Sequence, residues 1–209
     1  VALTQAELQL SSGQLEQALA TLTQLHSTTP THEMVLKHLM RLYTELHDWE
    51  RLLELLPSLR KRSIIYEKEA EKLSLQAYTA LLNQAAGEKG LHTIEDTWQR
   101  IPKNIKLHEP LLLTYVHHLI AKDASAQAEE ILRHAIKNNW NEQFVYLYGL
   151  TNGKDVSTQL SKAEKWLKSQ DNNPVLLLTL GRLSLRNNLW GKARSYLESS
   201  INIDARSET

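Results

Sequence analysis

Three groupings of side chains could do chemistry in this chain. His117 and His118 are adjacent, Arg182 and Arg186 lie four residues apart, and "RKR" (Arg60–Arg62) is a run of three cations. Adjacent histidines invite a metal-ligand reading. On a helix, however, successive side chains point about 100° apart, so both cannot easily reach one ion. His134 stands further along, and the nine histidines in all read as exposed or groove-lining groups on polar helix faces. Two arginines one helical turn apart could form a fork for a carboxylate; pairing with neighbouring glutamates is the competing reading. The cations of "RKR" are balanced by Glu67, Glu69 and Glu71, which reads as a solvated helix face.

No set of residues announces a reaction. There is no glycine-rich phosphate loop, no H-E-x-x-H and no serine in an elbow context, so the chain reads as non-enzymatic, with no catalytic residue, resident cofactor or metal. The 24 basic residues equal the 24 acidic ones, which argues against a polyanion binder, and nucleic acid is not an expected partner. The five tryptophans recur near the starts or centres of alternate helices without interleaved cations, as packing groups rather than a base-stacking platform. The absence of cysteine excludes disulfides and thiolate sites.

The elements that position these side chains are helices. Only 7 Gly, 5 Pro and one Phe occur among 209 residues rich in Leu, Ala, Glu, Lys and Gln, an all-α composition. Ala18, Ala128, Ala163 and Ala193 each precede a leucine by four residues, at Leu22, Leu132, Leu167 and Leu197. Ala6 lies twelve residues before Ala18, and Gly181 twelve before Ala193. Two antiparallel helices approach closely only where a small side chain faces the partner, and a large one fills the gap a turn later. These are the offsets of a tetratricopeptide repeat, whose period is about 34 residues. The expectation is all-α: tetratricopeptide-like helical hairpins stacked in a right-handed superhelix, one domain over 1–209. It would comprise about five helix pairs plus an irregular unit, near 1–30, 31–59, 73–106, 109–140, 141–173 and 174–205. "RKRSIIYEKEAEK" (Arg60–Lys72) breaks the phase, "EKG" (Glu88–Gly90) is a turn and "TNGKD" (Thr151–Asp155) a loop.

In such arrays the first helix of each hairpin lines a concave groove that takes peptides. Counting along those helices places Val35, Leu39 and Tyr43, then Leu113 and His117, then Leu178, Arg182 and Arg186 on the groove. Chaperone-binding tetratricopeptide domains hold a peptide carboxylate there with Lys and Asn. The pairs Leu113/His117 and Leu178/Arg182 depart from that clamp.

Two stretches go beyond generic repeats. "PVLLLTLGRLSLRNNLWGKARSYLESSI" (Pro174–Ile201) and "LHDWERLLELLPSLRK" (Leu46–Lys61) resemble the HemY family, as does "AEKWLKSQDNNP" (Ala163–Pro174). The resemblance implies a bacterial inner-membrane protein whose two N-terminal membrane helices are absent from this chain, with the present soluble domain facing the cytoplasm. The chain begins with Val and reads at once as helix, as expected of an excised part of something longer. The resemblance further implies a role in protoheme synthesis, with enzymes of its late steps as protein partners. Oxidation of protoporphyrinogen is not expected, because no dinucleotide fingerprint is present. The leading expectation is a membrane-tethered scaffold. The rivals are direct porphyrin or haem binding through Arg182, Arg186 and His117, and a generic peptide-binding adaptor outside haem metabolism.

Overall fold

The computed structural model describes residues 1–87 and 90–207, with side chains described as far as Ile203. Every regular element among them is helical. Helices follow one another in consecutive pairs: α1 (Ala2–Ser11) with α2 (Leu15–Thr28), α3 (Glu33–Glu45) with α4 (Trp49–Lys61), and α5 (Glu67–Gly87) with α6 (Leu91–Arg100). After a single turn, α7 (Lys103–Lys106), come α8 (Glu109–Ala121) with α9 (Ser125–Asn138), α10 (Glu142–Tyr148) with α11 (Val156–Glu164), and α12 (Pro174–Arg186) with α13 (Trp190–Ser207). A 3-10 turn, Lys165–Lys168, continues α11.

The small residues sit where the spacing places them. Ala6, Ala18, Ala128 and Ala163 are 0% exposed and Ala193 1%, so each lies at a helix contact. Gly181 is buried against α13, where a Cβ would stand 2.6 Å from Cγ of Leu197. The hairpin turns repeat as well. Gly13, His47, Asp123 and Asn188 all adopt positive φ, at 71°, 56°, 60° and 57°. In each turn the following amide reaches back five residues: Gln14 to Gln9, Asp48 to Tyr43, Ala124 to Leu119 and Leu189 to Ser184, at 2.8–3.0 Å. This is the Schellman closure, which satisfies carbonyls left over at a helix end. Gly13 and His47 are 34 residues apart, one full period. Helix starts are fixed by side-chain caps: Asn141 Oδ1 accepts from Gln143 and Phe144, Asp155 from Ser157, and Asn173 from Leu176 just before Pro174.

The chain groups into two compact units, Val1–Leu112 and Leu113–Thr209. Several expectations about its elements are revised. The third hairpin begins at Glu67 rather than 73, because the phase break ends at a tight turn closed by Ser63 at φ 57°. Helix α5 thereby gains its first turns from "EKEAEK" (Glu67–Lys72), and Arg60 clamps that start by donating to both carboxylate oxygens of Glu67 at 2.7 and 2.8 Å. The final helix runs past Ile203 to Ser207. Glu88 and Lys89 of the expected "EKG" turn, and the chain end at Glu208–Thr209, lie outside the described residues. Among the tryptophans, Trp49 is buried, and Trp140 and Trp166 pack edge to face at 6.2 Å, but Trp190 is 66% exposed.

The first unit's core joins Leu36, Leu39, Leu52 and Leu59 of the second hairpin to Ala18 and Leu22 of α2 and Ala77 of α5. The second unit adds a buried polar network at the loop after α10. Tyr148 Oη donates to Glu129 at 2.8 Å, and Gln159 Nε2 donates to the carbonyls of Tyr148 and Thr151 at 3.0 and 3.2 Å. The Gly153 amide returns a bond to Gln159 Oε1. A loop that carries buried backbone groups needs such partners, since each one left unpaired costs about 1–3 kcal/mol.

Candidate functional site: a partner-binding surface

The residues expected on the groove have different surroundings. Val35, Leu39 and Tyr43 are 1%, 0% and 7% exposed: they are core, not groove wall. The apolar face of α3 is wide enough to bury all of them, and Met34 and Arg41 hold its outer side. Leu113 and Leu178 are half-buried and His117 is exposed. Burial lowers the pKa of the adjacent His118, with His117 and Lys122 adding to the effect.

Arg182 and Arg186 are committed elsewhere. Arg186 donates through Nη1 to the Thr151 carbonyl at 2.6 Å and through Nη2 to the Gly149 carbonyl at 2.9 Å. These are the carbonyls at and just past the C-terminal end of α10, where a cation is favoured. Burial, then the charge of Arg182, lowers the Arg186 pKa. Arg182 stacks its guanidinium 4.6 Å from the ring centre of Tyr146, and its buried Nη1 has no hydrogen-bond partner. The expected carboxylate fork is therefore a capping arginine beside a stacked one, and neither pairs with a glutamate among the described residues.

A run of clefts on the first unit lies between α4 and α6, with α5 as its floor; a separate one of about 490 Å³ lies between α1 and α3, at Glu7, His38 and Arg41. A hollow of about 240 Å³ is walled by Glu50, Leu53 and Glu54 of α4 and by Thr97 and Arg100 of α6, over Tyr78 and Leu81. It shares Leu53 and Tyr78 with a hollow of about 300 Å³ that reaches Pro57, Glu71 and Ile105. At its other end it shares Glu50, Leu81 and Arg100 with a third, of about 270 Å³, bounded by Asp48 and Gln84. Each of these three stands at or below the size that encloses a drug-sized molecule, about 300–1,000 Å³. Joined, they form a trough suited to an extended occupant.

Among the charged side chains of its lining, Asp48, Glu50, Glu54, Glu67 and Glu71 stand against Arg60 and Arg100. Glu50 faces Arg100 at 3.4 Å across the trough, a mostly exposed pair of little energetic weight. Glu71 pairs with His108 at 2.7 Å. Glu54 has no cation within ion-pair distance among the described residues. Burial pushes the Tyr78 hydroxyl pKa up, and the positive Arg100 opposes that shift. Sequence reasoning missed this surface because the residues that face across it, Glu50 and Arg100, are 50 apart in the chain. The only local signal was Glu50 and Glu54 at i,i+4 spacing just ahead of Pro57.

Fold and surface together define the class: an all-α protein of tetratricopeptide-like helical hairpins. Within that class, the chain is similar to protein HemY of Escherichia coli K12, 25% identical over 197 residues, 92% of this chain and 48% of that protein. The HemY of Shigella flexneri gives the same figures. The chain thus spans about half the length of the curated relatives it matches. No protein-family model matches it. Among solved structures, YrrB, described as a TPR protein with an unusual peptide-binding site, aligns over 97% of this chain and 84% of its own at 14% identity. Its TM-score of 0.36 is too low to support the fold assignment, which rests on the hairpins and their repeating turns.

Proposed function

We propose that this chain is a non-enzymatic interaction scaffold that holds enzymes of late protoheme synthesis close to one another. In the longer protein, membrane helices would tether it to the bacterial inner membrane on the cytoplasmic side. No helix among the described residues is long and apolar enough to cross a membrane. The observation that carries the reading is the similarity to HemY over 92% of the chain. The open trough on the first unit supports a protein partner over an enclosed small molecule. A scaffold of this kind acts through effective concentration, which raises the encounter rate of bound enzymes without chemistry of its own.

The test immobilises the domain and passes purified enzymes of the last steps of protoheme synthesis over it. Saturable retention of at least one is the expected result. Retention of none, together with a stoichiometric Soret shift on haem titration, would replace the scaffold with a haem-handling protein. That rival has less support, because both terminal nitrogens of Arg186 are engaged with backbone carbonyls.

A further inference from the structure

We propose that the trough between α4 and α6 binds an extended, lysine- or arginine-bearing segment of a partner protein. This deepens the scaffold reading by naming the chemistry of what is held. Three observations carry it. The first is charge: Asp48, Glu50, Glu54, Glu67 and Glu71 line the hollows against two arginines, Arg60, which Glu67 holds, and Arg100, which crosses the central one, and Asp48 is paired with Arg51. Among the described residues Glu54 has no cationic partner, and the Glu50–Arg100 pair is long and exposed enough to open for a competing cation.

The second is a backbone acceptor. Pro57 lies inside α4 and carries no N–H, so the Leu53 carbonyl one turn earlier lacks its helical donor. Leu53 and Pro57 both line the same hollow. A cation entering there meets Glu71, while Arg60 of the same lining is already held by Glu67; Glu54 lines the adjoining hollow, which shares Leu53 with this one. The third is shape. The trough follows α4, whose 13 residues span about 20 Å at about 1.5 Å per residue. That length accommodates about six residues of extended chain. Its floor of Tyr78 and Leu81, with Leu53 on the α4 wall, offers apolar contact to the side chains that alternate with the cations.

The probe is a fluorescein-labelled peptide of about eight residues alternating Lys with Leu and Val, followed by anisotropy against the whole chain. Saturable binding that weakens with added salt is expected. The double variant Glu50→Lys/Glu54→Lys should weaken it at least about tenfold. Glu16→Lys/Glu130→Lys, an equal charge change on exposed positions that line none of these hollows, should leave it within about twofold. Pro57→Ala restores the missing amide, and should weaken binding several-fold without changing any charge and with a helix at least as stable. Binding lowered equally by both double variants would reduce the effect to bulk charge and overturn the proposal; so would no saturable binding. Enzymes retained equally by wild type and Glu50→Lys/Glu54→Lys, with no probe binding, would sink the trough and leave the scaffold standing. Probe bound in the trough with no enzyme retained would do the reverse.

Discussion

At Gly181 a Cβ would stand 2.6 Å from Cγ and Cδ2 of Leu197, closer than real side chains tolerate. Gly181→Ala should therefore cost about 1–3 kcal/mol, the usual penalty for overpacking a well-filled contact, read by urea unfolding. The unusual direction of this result, a loss from a Gly-to-Ala change inside a helix, would separate packing from propensity. Tyr148→Phe tests the buried network: it removes the hydroxyl that donates to Glu129, a carboxylate only 8% exposed. The expected loss is about 1–3 kcal/mol for a buried acceptor left short of its donor. The close approach at Gly181 was legible in the sequence, because Ala6/Ala18 and Gly181/Ala193 share one spacing. The commitments of Arg186 were not. They depend on carbonyls at Gly149 and Thr151, more than 30 residues away in the chain, that fold up beside it. Val35, Leu39 and Tyr43 were misplaced for a related reason: repeat counting fixes which helix a residue occupies better than which side of a wide apolar face it takes.

Among the elements, the hairpin turns repeat as faithfully as the helices. Asp123 is exposed and holds φ 60°, a conformation that a non-glycine residue adopts at a cost. Asp123→Gly should stabilise the α8–α9 hairpin by up to about 1 kcal/mol, seen as a rise in midpoint on thermal or urea unfolding. Helix α8 also carries a pH dependence. Burial first, then His117 and Lys122, holds the His118 pKa below its ordinary value. The unfolded chain therefore takes this proton before the folded one does. The second unit keeps its full stability above about pH 6.5, the unfolded value, and loses some as pH falls through that value towards the folded one. His118→Gln should flatten this part of the urea-stability profile between neutral and mildly acidic pH. An unchanged profile would show that His118 gains its proton equally well in both states. The hairpin register was readable from sequence, but the early start of α5 was not. "RKRSIIYEKEAEK" holds strong helix formers on both sides of the Ser63 turn, and propensity alone does not say where the chain reverses.

On the scale of the whole molecule, a repeat array is held by contacts between successive hairpins, so a local defect should weaken its neighbours and fade along the chain. The two compact units, meeting in sequence at Leu112 and Leu113, make this testable. Gly181→Ala disturbs the contact of α12 with α13. Helix α12 in turn holds α10: Thr179 Oγ1 donates to the Val145 carbonyl at 2.9 Å, and a Cβ on Gly149 would meet Thr179 Oγ1 at 2.9 Å. Hydrogen exchange followed by mass spectrometry should show faster exchange in α12 and α13, a smaller rise in α10 and α11, and no change in α1 to α4. Amide exchange reports opening free energies segment by segment, so a graded response is the signature of nearest-neighbour coupling. A uniform rise across both units would instead mean that the chain unfolds as one cooperative body. The trough on the first unit should then lose probe affinity in Gly181→Ala under mildly denaturing conditions. With graded coupling it keeps that affinity, because the helices that wall it, α4 to α6, belong to the unit the substitution leaves intact.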